Sequence, residues 1–499
     1  MAYVKSASLQ VCRVREYRKE GVINTKKIEN TNNSAPQTAK ALEDRQFRVF
    51  TRRHIDEIPQ LESLSPSEVT SMKAVSAVLP FRVNNYVLED LIDWSNIPDD
   101  PIYQLTFPQP EMLRREDFER MFALVRGGAT EEEIQSAARE IQRTLNPHPA
   151  GQMELNVPRV DGEPVSGLQH KYGETVLFFP AAGQTCHAYC TYCFRWAQFV
   201  GIDELKFAAR EADSLVRYLH EHPEVTNVLF TGGDPMIMKT QVLRRYVEPL
   251  LDPSLESLVS IRFGTKAPAY WPYRFGGNED ADALLTLFEE IRESGRSVSV
   301  MAHYSHPQEL STPVAEEAVR RIRNAGAVVR CQAPLIRRVN DHADTWATMW
   351  RQQVRLGAIP YYMFVERDTG AKDYFELPLV EAFHIFNDAY RQVSGLARTV
   401  RGPSMSTTPG KVIVDGIATI HGEKVIVLKF IQARDPRWVG RPFFARFDPE
   451  ATWLDQLEPA FGEEEFFFET PLRQIEARRH ARRGISSVRL IGSFGTPAP

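Results

Sequence analysis

The sequence predicts an α/β protein built on a parallel sheet, and three observations support this prediction. From about residue 174, short apolar or β-branched runs alternate with amphipathic helical stretches. Gly295 and Gly326 stand where helices are expected to end, and Thr312-Pro313 where one is expected to begin. Six strand-then-helix units in succession imply parallel pairing. The predicted strands are Thr175–Phe179, Val225–Phe230, Leu258–Phe263, Ser297–Met301, Ala327–Gln332 and Pro360–Val365.

Helical stretches between these strands include LKFAAREADSLVRYL (205–219) and ADALLTLFEEIRESG (281–295). Six such units either close partly into a barrel or remain an open sheet. In both arrangements the loops at the carboxyl ends of the strands carry the chemistry, because side chains from neighbouring strands meet there.

The N-terminal part of the chain divides into two regions. Residues 1–45 are polar and predict a mobile arm. Residues 46–170 predict a mainly helical region, in which Thr130 and Glu133 form a capping-box pattern at the start of a helix.

The remaining residues form a predicted core, 171–395, and a C-terminal region, 396–499. The stretch KVIVDGIATIHGEKVIVLKF predicts a hairpin with Asp415-Gly416 as its turn. Five arginines lie between Arg473 and Arg483. This pattern is typical of a solvated helix face, and an oligomer or acidic-partner contact is the alternative.

The composition excludes several classes of protein. The 499 residues are 43% apolar, which is typical of a globular chain. With 60 Lys+Arg against 65 Asp+Glu the net charge is −5, so bulk charge does not favour a nucleic-acid partner. No apolar run approaches the ~20 residues that cross a bilayer, and the N-terminus shows no signal-peptide pattern. Five cysteines, three of them within eight residues, indicate a reducing cytoplasm and a local metal site.

The cysteine cluster is the most specific signal in the sequence. In GQTCHAYCTYCFRW, directly after the first predicted strand, Cys186, Cys190 and Cys193 have the spacing C-x3-C-x2-C. Three thiolates on one loop can bind three irons of a cube-shaped 4Fe-4S cluster and leave the fourth iron open for chemistry. A zinc site with His187 as a further ligand is one alternative, since Cys12 and Cys331 are remote, and chance clustering is the other.

This loop, with the aromatic Tyr192 before the last cysteine, resembles the radical S-adenosylmethionine superfamily. The resemblance implies a partial (βα)6 barrel and a cluster whose open iron binds S-adenosylmethionine. An electron from the cluster then generates a 5′-deoxyadenosyl radical. Gly232, Gly233 and Asp234, after the second strand, resemble the family's contact to the methionine amino group. Paired glycines allow close approach to a ligand, and a carboxylate accepts from an ammonium.

The resemblance narrows to the lysine 2,3-aminomutase family over roughly residues 55–430. In that family the segments containing Thr265, His303 and Gln332 contact S-adenosylmethionine, and here these residues stand at the ends of strands three, four and five. The supporting motifs are HKYGETVLFF, CFR, TGGDP, GTKAP, AHYSHPQE, CQAPLIRRVND and PYYMF.

The family carries a second cofactor, pyridoxal phosphate, on a lysine after a glycine-rich turn. The matching stretch SMSTTPGKVIV assigns the Schiff-base role to Lys411. Among the phosphate contacts, Lys171 matches a basic family position. The chain departs from the family in two places: the turn has Gly410 as its single glycine, and a second basic residue is replaced near Thr175.

Charge at the matching positions predicts the substrate. Arg195 matches the family arginine that binds the substrate carboxylate. The two family aspartates that hold the far ammonium of lysine fall, by ungapped spacing, on Arg367 and Ser404. An arginine repels an ammonium and binds a carboxylate, so an acidic or neutral amino acid is expected rather than free lysine. A shift of one residue would place Asp368 at the first of these positions.

The resemblance implies a radical 1,2-amino shift that converts an α-amino acid into its β-isomer. The expected partners are the amino acid, a reductant such as flavodoxin or ferredoxin, and a second copy of the chain. One alternative is a radical S-adenosylmethionine enzyme without pyridoxal phosphate that modifies a protein side chain, RNA or a metabolite. The other is a non-catalytic iron–sulfur or zinc protein.

Overall fold

The computed structural model describes residues 45–153, 155–201 and 207–479, and a single large sheet organises this part of the chain. Eleven strands are hydrogen-bonded in the order β15-β14-β13-β12-β11-β10-β9-β8-β7-β6-β5. The described strands are β1 (Val49–Thr51), β2 (Arg82–Asn84), β3 (Arg159–Val160), β4 (Glu163–Pro164), β5 (Leu168–Tyr172), β6 (Thr175–Phe178), β7 (Asn227–Phe230), β8 (Ser260–Thr265), β9 (Ser297–His303), β10 (Val328–Leu335), β11 (Ile359–Val365), β12 (Arg401–Ser406), β13 (Gly410–Ile420), β14 (Glu423–Ala433) and β15 (Pro442–Arg446).

The six strands predicted from the sequence are β6 to β11, and each pairs in parallel with the next. β12 adds one more parallel strand, and β13, β14 and β15 continue the same sheet in antiparallel pairing. The prediction of an α/β protein is therefore confirmed, and the sheet is mixed: it is parallel from β6 to β12 and antiparallel at both ends. Gln332 lies inside β10 rather than at its end, because the strand continues to Leu335.

Helices connect the parallel strands, and their ends carry the predicted signals. Thr312 accepts a hydrogen bond from the Ala315 amide at the start of α9, and Gly295 and Gly326 have φ of 84° and 83° after α8 and α9. The described α-helices are α1 (Pro66–Val78), α2 (Pro101–Thr106), α3 (Arg115–Arg126), α4 (Glu131–Thr144), α5 (Asp213–Glu221), α6 (Thr240–Val247), α7 (Ala267–Tyr270), α8 (Glu279–Glu293), α9 (Pro313–Asn324), α10 (Ala343–Arg355), α11 (Lys372–Phe375), α12 (Leu379–Arg391) and α13 (469–479).

One predicted helix begins later than the sequence pattern suggested. The stretch 205–219 was expected to be helical throughout, but α5 starts at Asp213. Residues 205 and 206 lie outside the described residues. Ala209 instead pairs with Pro180 in an isolated bridge, so tertiary contact with the loop after β6 overrides helix propensity there.

The N-terminal region contains the predicted helices but also strands that the sequence analysis did not anticipate. The capping box of α4 is present, with the Glu133 amide donating to Thr130 at 3.3 Å and the Thr130 amide donating to Glu133 at 2.8 Å. β1 pairs with β2, β3 pairs with β4, and β5 joins the large sheet antiparallel to β6. β5 thus lies across the boundary expected at residue 170. The predicted arm at 1–45 falls outside the described residues except for Arg45.

The predicted turn of the C-terminal hairpin was wrong. β13 runs through Asp415-Gly416, where the register shifts between Val414 and Gly416. The strand reverses at His421-Gly422, where both residues have positive φ, 51° and 86°. Two successive positive φ values are the backbone conformation of a tight hairpin turn, so the Asp-Gly pair forms an irregularity within the strand rather than its end.

Two apolar clusters stabilise this arrangement. The larger one fills the space between the parallel strands and their helices and continues into the N-terminal region. The second cluster lies under β13, β14 and β15 and includes Phe430, Phe443 and Phe468. No helix in the described part of the chain has the combined length and apolar character required to traverse a bilayer.

Candidate active site

The three predicted cluster cysteines lie together on the loop that follows β6. Backbone hydrogen bonds to the N-terminal region hold this loop. The Tyr189 amide donates to the Arg82 carbonyl of β2 at 2.8 Å, and the Thr191 amide donates to the Leu105 carbonyl of α2 at 2.9 Å. The helical N-terminal region therefore positions the loop that carries the thiols.

The thiols of the three cysteines are free, half-buried and within electrostatic reach of one another. Burial raises the pKa of all three, and burial followed by the neighbouring Cys190 raises the pKa of Cys193 to about 12. Thiols held in such surroundings ionise together only when a cationic partner compensates their charge. Among the described residues, no three His, Cys, Asp or Glu side chains are grouped so that they could hold a metal ion.

The side chains considered as further zinc ligands occupy other surroundings. His187 is buried, its ring packs edge-on to Phe47 at 5.7 Å, and burial lowers its pKa to about 3. Cys331 is a buried residue of β10. Cys12 lies outside the described residues.

The two predicted glycines pack against the cysteine loop itself. A Cβ on Gly233 would lie 2.4 Å from the Thr185 amide nitrogen, one residue before the first cysteine. Gly232 has φ of 134°, and a Cβ there would lie 2.2 Å from the Gln184 amide nitrogen Nε2. The glycines therefore bring two loops of the protein together, and their predicted contact with S-adenosylmethionine stays a prediction.

Asp234 links the glycine turn to the end of β8. Its buried carboxylate accepts hydrogen bonds from the Thr265 hydroxyl at 2.6 Å, the Lys266 amide at 2.9 Å and the Met236 amide at 2.9 Å. Burial still raises the pKa of this carboxyl above its usual range. Asp234 and Thr265, predicted as separate cofactor contacts, thus form one hydrogen-bonded unit beside the cysteine loop.

His303 and Gln332 also lie together. The Gln332 side-chain amide nitrogen is 3.1 Å from His303 Nε2, and the two residues are partners in the register of β10 and β9. Burial, followed by the charge of Lys266, lowers the pKa of His303 to about 3. His303 is therefore a neutral ring at physiological pH, available as a hydrogen-bonding group.

A cavity of about 220 Å³ is lined by residues of every strand from β5 to β14. Lys411 on β13 lines it, with Nζ 4.4 Å from the centroid of the Tyr362 ring. Burial, followed by the charges of Arg262 and Arg401, lowers the pKa of Lys411 to about 7. A lysine whose ammonium form is disfavoured in this way can act as a nucleophile.

The turn before Lys411 contacts the other predicted pyridoxal phosphate residue. Lys171 lines the same cavity and donates to the Thr407 carbonyl. The Thr407 amide and hydroxyl both donate to the Gly410 carbonyl at 2.9 Å. A Cβ on Gly410 would lie 2.4 Å from the Gln432 carbonyl oxygen of β14, so this glycine serves the packing of two strands.

Arg195 and Arg367, the predicted substrate contacts, meet at the same cavity. The Arg195 Cζ lies 5.1 Å and the Arg367 Cζ 5.3 Å from the centroid of Phe194. Asp368 lines a different cavity and is 3.3 Å from the Asn146 side-chain amide, so the arginine rather than the aspartate faces the centre.

Ser404 is fully buried on β12, and its hydroxyl has no hydrogen-bond partner within the described residues. It pairs in register with Phe364, a residue of the cavity wall. Its predicted contact with the substrate stays a prediction.

The charge of the cavity wall is uniform. No aspartate or glutamate occurs among the described residues that line the cavity, whereas five cations do. Four of these cations are predicted site residues, and the fifth, Arg262 of β8, was not predicted from the sequence. The available signal was an arginine within an otherwise apolar predicted strand. The five cations are Lys171, Arg195, Arg262, Arg367 and Lys411.

Comparison with known proteins identifies relatives over most of the chain. A protein of Aquifex aeolicus named "Putative L-lysine 2,3-aminomutase" is 30% identical over 416 residues, covering 83% of this chain and 96% of its own. A second Aquifex aeolicus protein of that name is 27% identical over 310 residues, covering 62% and 70%. The L-lysine 2,3-aminomutase of Bacillus subtilis is 25% identical over 349 residues, covering 70% and 64%.

The chain belongs to the lysine 2,3-aminomutase family of radical S-adenosylmethionine proteins. No protein-family model matches it. Among solved structures, the radical S-adenosylmethionine methyltransferase TsrM of Kitasatospora setae aligns with a TM-score of 0.27 and 15% identity over 42% of this chain and 38% of its own. A superposition of this quality adds nothing to the assignment.

Proposed function

We propose that this protein is a pyridoxal phosphate-dependent radical S-adenosylmethionine 2,3-aminomutase that acts on an amino acid with an acidic side chain. One observation carries the proposal. Lys411, a half-buried lysine with a lowered pKa, shares a cavity with Arg195 and Arg367, and no carboxylate lines this cavity among the residues that the structure describes. A cytoplasmic one-electron reductant and the amino acid are the partners that this function requires.

The residues present fit the cofactors. In number and spacing the three free thiols match a cluster that takes three protein ligands and keeps one iron open, and the loop must bring their sulfur atoms together around it, because the described side chains are not grouped around a metal ion. Lys411 and Lys171 supply a nucleophilic amine and a cation to the central cavity. When bound, the cluster and S-adenosylmethionine supply a 5′-deoxyadenosyl radical, and pyridoxal phosphate supplies the aldehyde that carries the migrating nitrogen.

Lys411 provides a neutral amine inside the cavity. Its Nζ lies 4.4 Å from the centroid of Tyr362 and 5.6 Å from that of Phe364, so two aromatic rings lie next to the amine. The loss of hydration disfavours the ammonium form, which is why the amine is available for covalent attachment.

Arg195 and Arg367 bind the two ends of the substrate. Arg195 holds the α-carboxylate, and Arg367, also beside Phe194, holds the carboxylate of the side chain. A guanidinium binds a carboxylate with two hydrogen bonds, whereas it repels the far ammonium of lysine. Ser404, whose hydroxyl has no hydrogen-bond partner among the described residues, lies behind the cavity wall beside Phe364 and is a further candidate contact for the side-chain end.

The arrangement of the strands supports a partial (βα)6 barrel around this chemistry. Residues of β6 to β11 all line the same cavity, as expected for a sheet that curves around it. A cavity within the sheet limits the access of water and holds the reacting groups in position, and both effects favour radical chemistry over side reactions.

The experiment that tests the proposal compares glutamate with lysine. Protein reconstituted anaerobically with iron, sulfide and pyridoxal phosphate is incubated with S-adenosylmethionine, a reductant and each amino acid, and the β-amino isomer is quantified. Glutamate is expected to isomerise and lysine to remain. Faster turnover of lysine contradicts the substrate assignment, whereas turnover that persists in Lys411→Ala contradicts the role of pyridoxal phosphate.

A further inference from the structure

The cavity contains a cation that the family resemblance does not account for, and it lies where the chain has lost a basic residue. The stretch HKYGETVLFF carries Thr175 in place of the second phosphate-binding cation. Resting on the proposed function, we propose that Arg262 binds the phosphate group of pyridoxal phosphate in this chain. Arg262 thereby replaces, from a different strand, the charge that Thr175 does not supply.

Hydrogen bonds connect Thr175 to Arg262 through the side chain of Asn227. Thr175, Asn227 and Arg262 occupy the neighbouring strands β6, β7 and β8, and Thr175 is in register with Asn227. The Asn227 side-chain amide donates to the Thr175 hydroxyl at 3.0 Å, and the Arg262 guanidinium donates to the Asn227 carbonyl oxygen Oδ1. The asparagine therefore fixes the guanidinium next to the position of the missing cation.

Arg262 retains binding capacity in this position. Only one of its nitrogens donates to a described residue, and its buried Nε has no hydrogen-bond partner. No carboxylate within the described residues forms an ion pair with it. The nearby Glu174 accepts a hydrogen bond from the Gln432 side chain at 2.9 Å. An unpaired buried guanidinium is costly unless an anion completes its hydrogen bonds.

The position of Arg262 relative to Lys411 suits a ligand attached to that lysine. Both side chains line the same cavity, and the charge of Arg262 is, after burial, the largest influence on the Lys411 amine. A phosphate dianion is best bound by more than one cation. Lys171 already donates one hydrogen bond to the Thr407 carbonyl, so a second cation is needed to complete the binding of the phosphate.

Another nearby cation is less suited to the phosphate. The three guanidinium nitrogens of Arg434 donate to the Thr408 carbonyl at 2.8 Å, the Leu155 carbonyl at 3.3 Å and the Asn156 side chain at 2.6 Å. Its hydrogen bonds are thus made within the protein, and it is not part of the cavity wall.

The test separates the phosphate from the aldehyde of the cofactor. Dissociation constants of pyridoxal phosphate and of pyridoxal, which lacks the phosphate, are measured by absorbance titration of the wild type and Arg262→Gln. Arg330→Gln is the matched control, because Arg330 lies on β10 outside the cavity wall. Arg262→Lys, which keeps the charge, is the second variant should the glutamine variant not fold.

We expect Arg262→Gln to bind pyridoxal phosphate about 10- to 100-fold more weakly, with pyridoxal affinity unchanged, because one charge-assisted contact is lost. Arg262→Lys is expected to lose less affinity, again for the phosphorylated ligand alone, and Arg330→Gln to lose none. Equal losses for both ligands, or no loss for pyridoxal phosphate, overturn the role of Arg262. If the wild type itself does not bind pyridoxal phosphate, both the proposed function and the role of Arg262 are overturned. This outcome differs from failure of the Arg262 role alone, in which the wild type still binds.

Discussion

Arg195 and Arg367 present their guanidinium groups to the same phenyl ring, with Cζ atoms 5.1 and 5.3 Å from the centroid of Phe194. Arg195 follows the cysteine loop and Arg367 follows β11, so the fold brings two distant positions together. Burial, with the repulsion of Arg367 as a further cause, lowers the pKa of Arg195 to about 9. A dicarboxylate between the two groups removes this electrostatic cost.

Replacing Arg367 by glutamine is expected to lower kcat/KM for glutamate about 10- to 100-fold, because a charged hydrogen-bonding partner worth roughly 1.5–3 kcal/mol is lost. Steady-state kinetics of the reconstituted enzyme measure the effect. Arg351→Gln on the exposed face of α10 is the control and is expected to leave kcat/KM unchanged. Equal values for the two variants would show that Arg367 does not contact the substrate.

The rate at which pyridoxal combines with the apo-protein is expected to rise with pH around a midpoint near 7, because the neutral amine of Lys411 is the reactive form. The unfolded lysine titrates near 10.5. Since the unfolded chain binds the extra proton between these two values, Lys411 also makes the free energy of unfolding increase with pH in that window. Stopped-flow absorbance across this range gives the midpoint, and a midpoint near 10 contradicts the burial of this amine.

Asp234→Ala is expected to lower the free energy of unfolding by about 1–3 kcal/mol, because three donors lose a buried acceptor. Asp252→Ala is the matched control, since Asp252 accepts from the Ser254 amide and hydroxyl at the exposed surface. Urea unfolding of both variants measures the difference. A loss at Asp234 no larger than at Asp252 is incompatible with its role in joining the glycine turn to β8.

The hairpin turn is tested by two glycine substitutions. Gly422→Ala is expected to lower the free energy of unfolding by about 1–2 kcal/mol, because the residue has φ of 86°. Gly416→Ala is expected to cost little, because a Cβ there meets Val427 at an ordinary 3.7 Å. Urea unfolding of the two variants decides between the turns, and the reverse order of costs would restore the turn at Asp415-Gly416.

The parts of the fold that depend on local patterns were predictable. Apolar periodicity located β6 to β11, and the capping residues Thr130 and Thr312 located the starts of α4 and α9. The predicted position of the hairpin turn was wrong because Asp-Gly occurs at strand irregularities as well as in turns. Only the register of β13 against β14 distinguishes the two cases. Helix α5 began late because a bridge to Pro180 competes with helix formation.

The candidate site was predictable where a motif fixed it and not where side-chain direction mattered. Motif spacing located Cys186, Cys190 and Cys193. Spacing also placed Arg367 at a predicted substrate position but left Asp368 as an alternative, and only the structure shows that the two residues line different cavities. The close packing of the glycine turn on the cysteine loop was invisible, because it joins residues far apart in the sequence. Arg262 was missed although it is an arginine within an otherwise apolar predicted strand, because the strand pattern does not show that its side chain reaches the cavity.

The proposed function depends most on the three cysteines holding a cluster with one open iron. Electron paramagnetic resonance of the reduced, reconstituted protein, recorded with and without S-adenosylmethionine, tests this directly. We expect a 4Fe-4S signal that changes when S-adenosylmethionine is added and that is lost in Cys193→Ala but kept in Cys331→Ala on β10. A protein that holds a single divalent ion, or a cluster signal that S-adenosylmethionine leaves unchanged, would contradict the account.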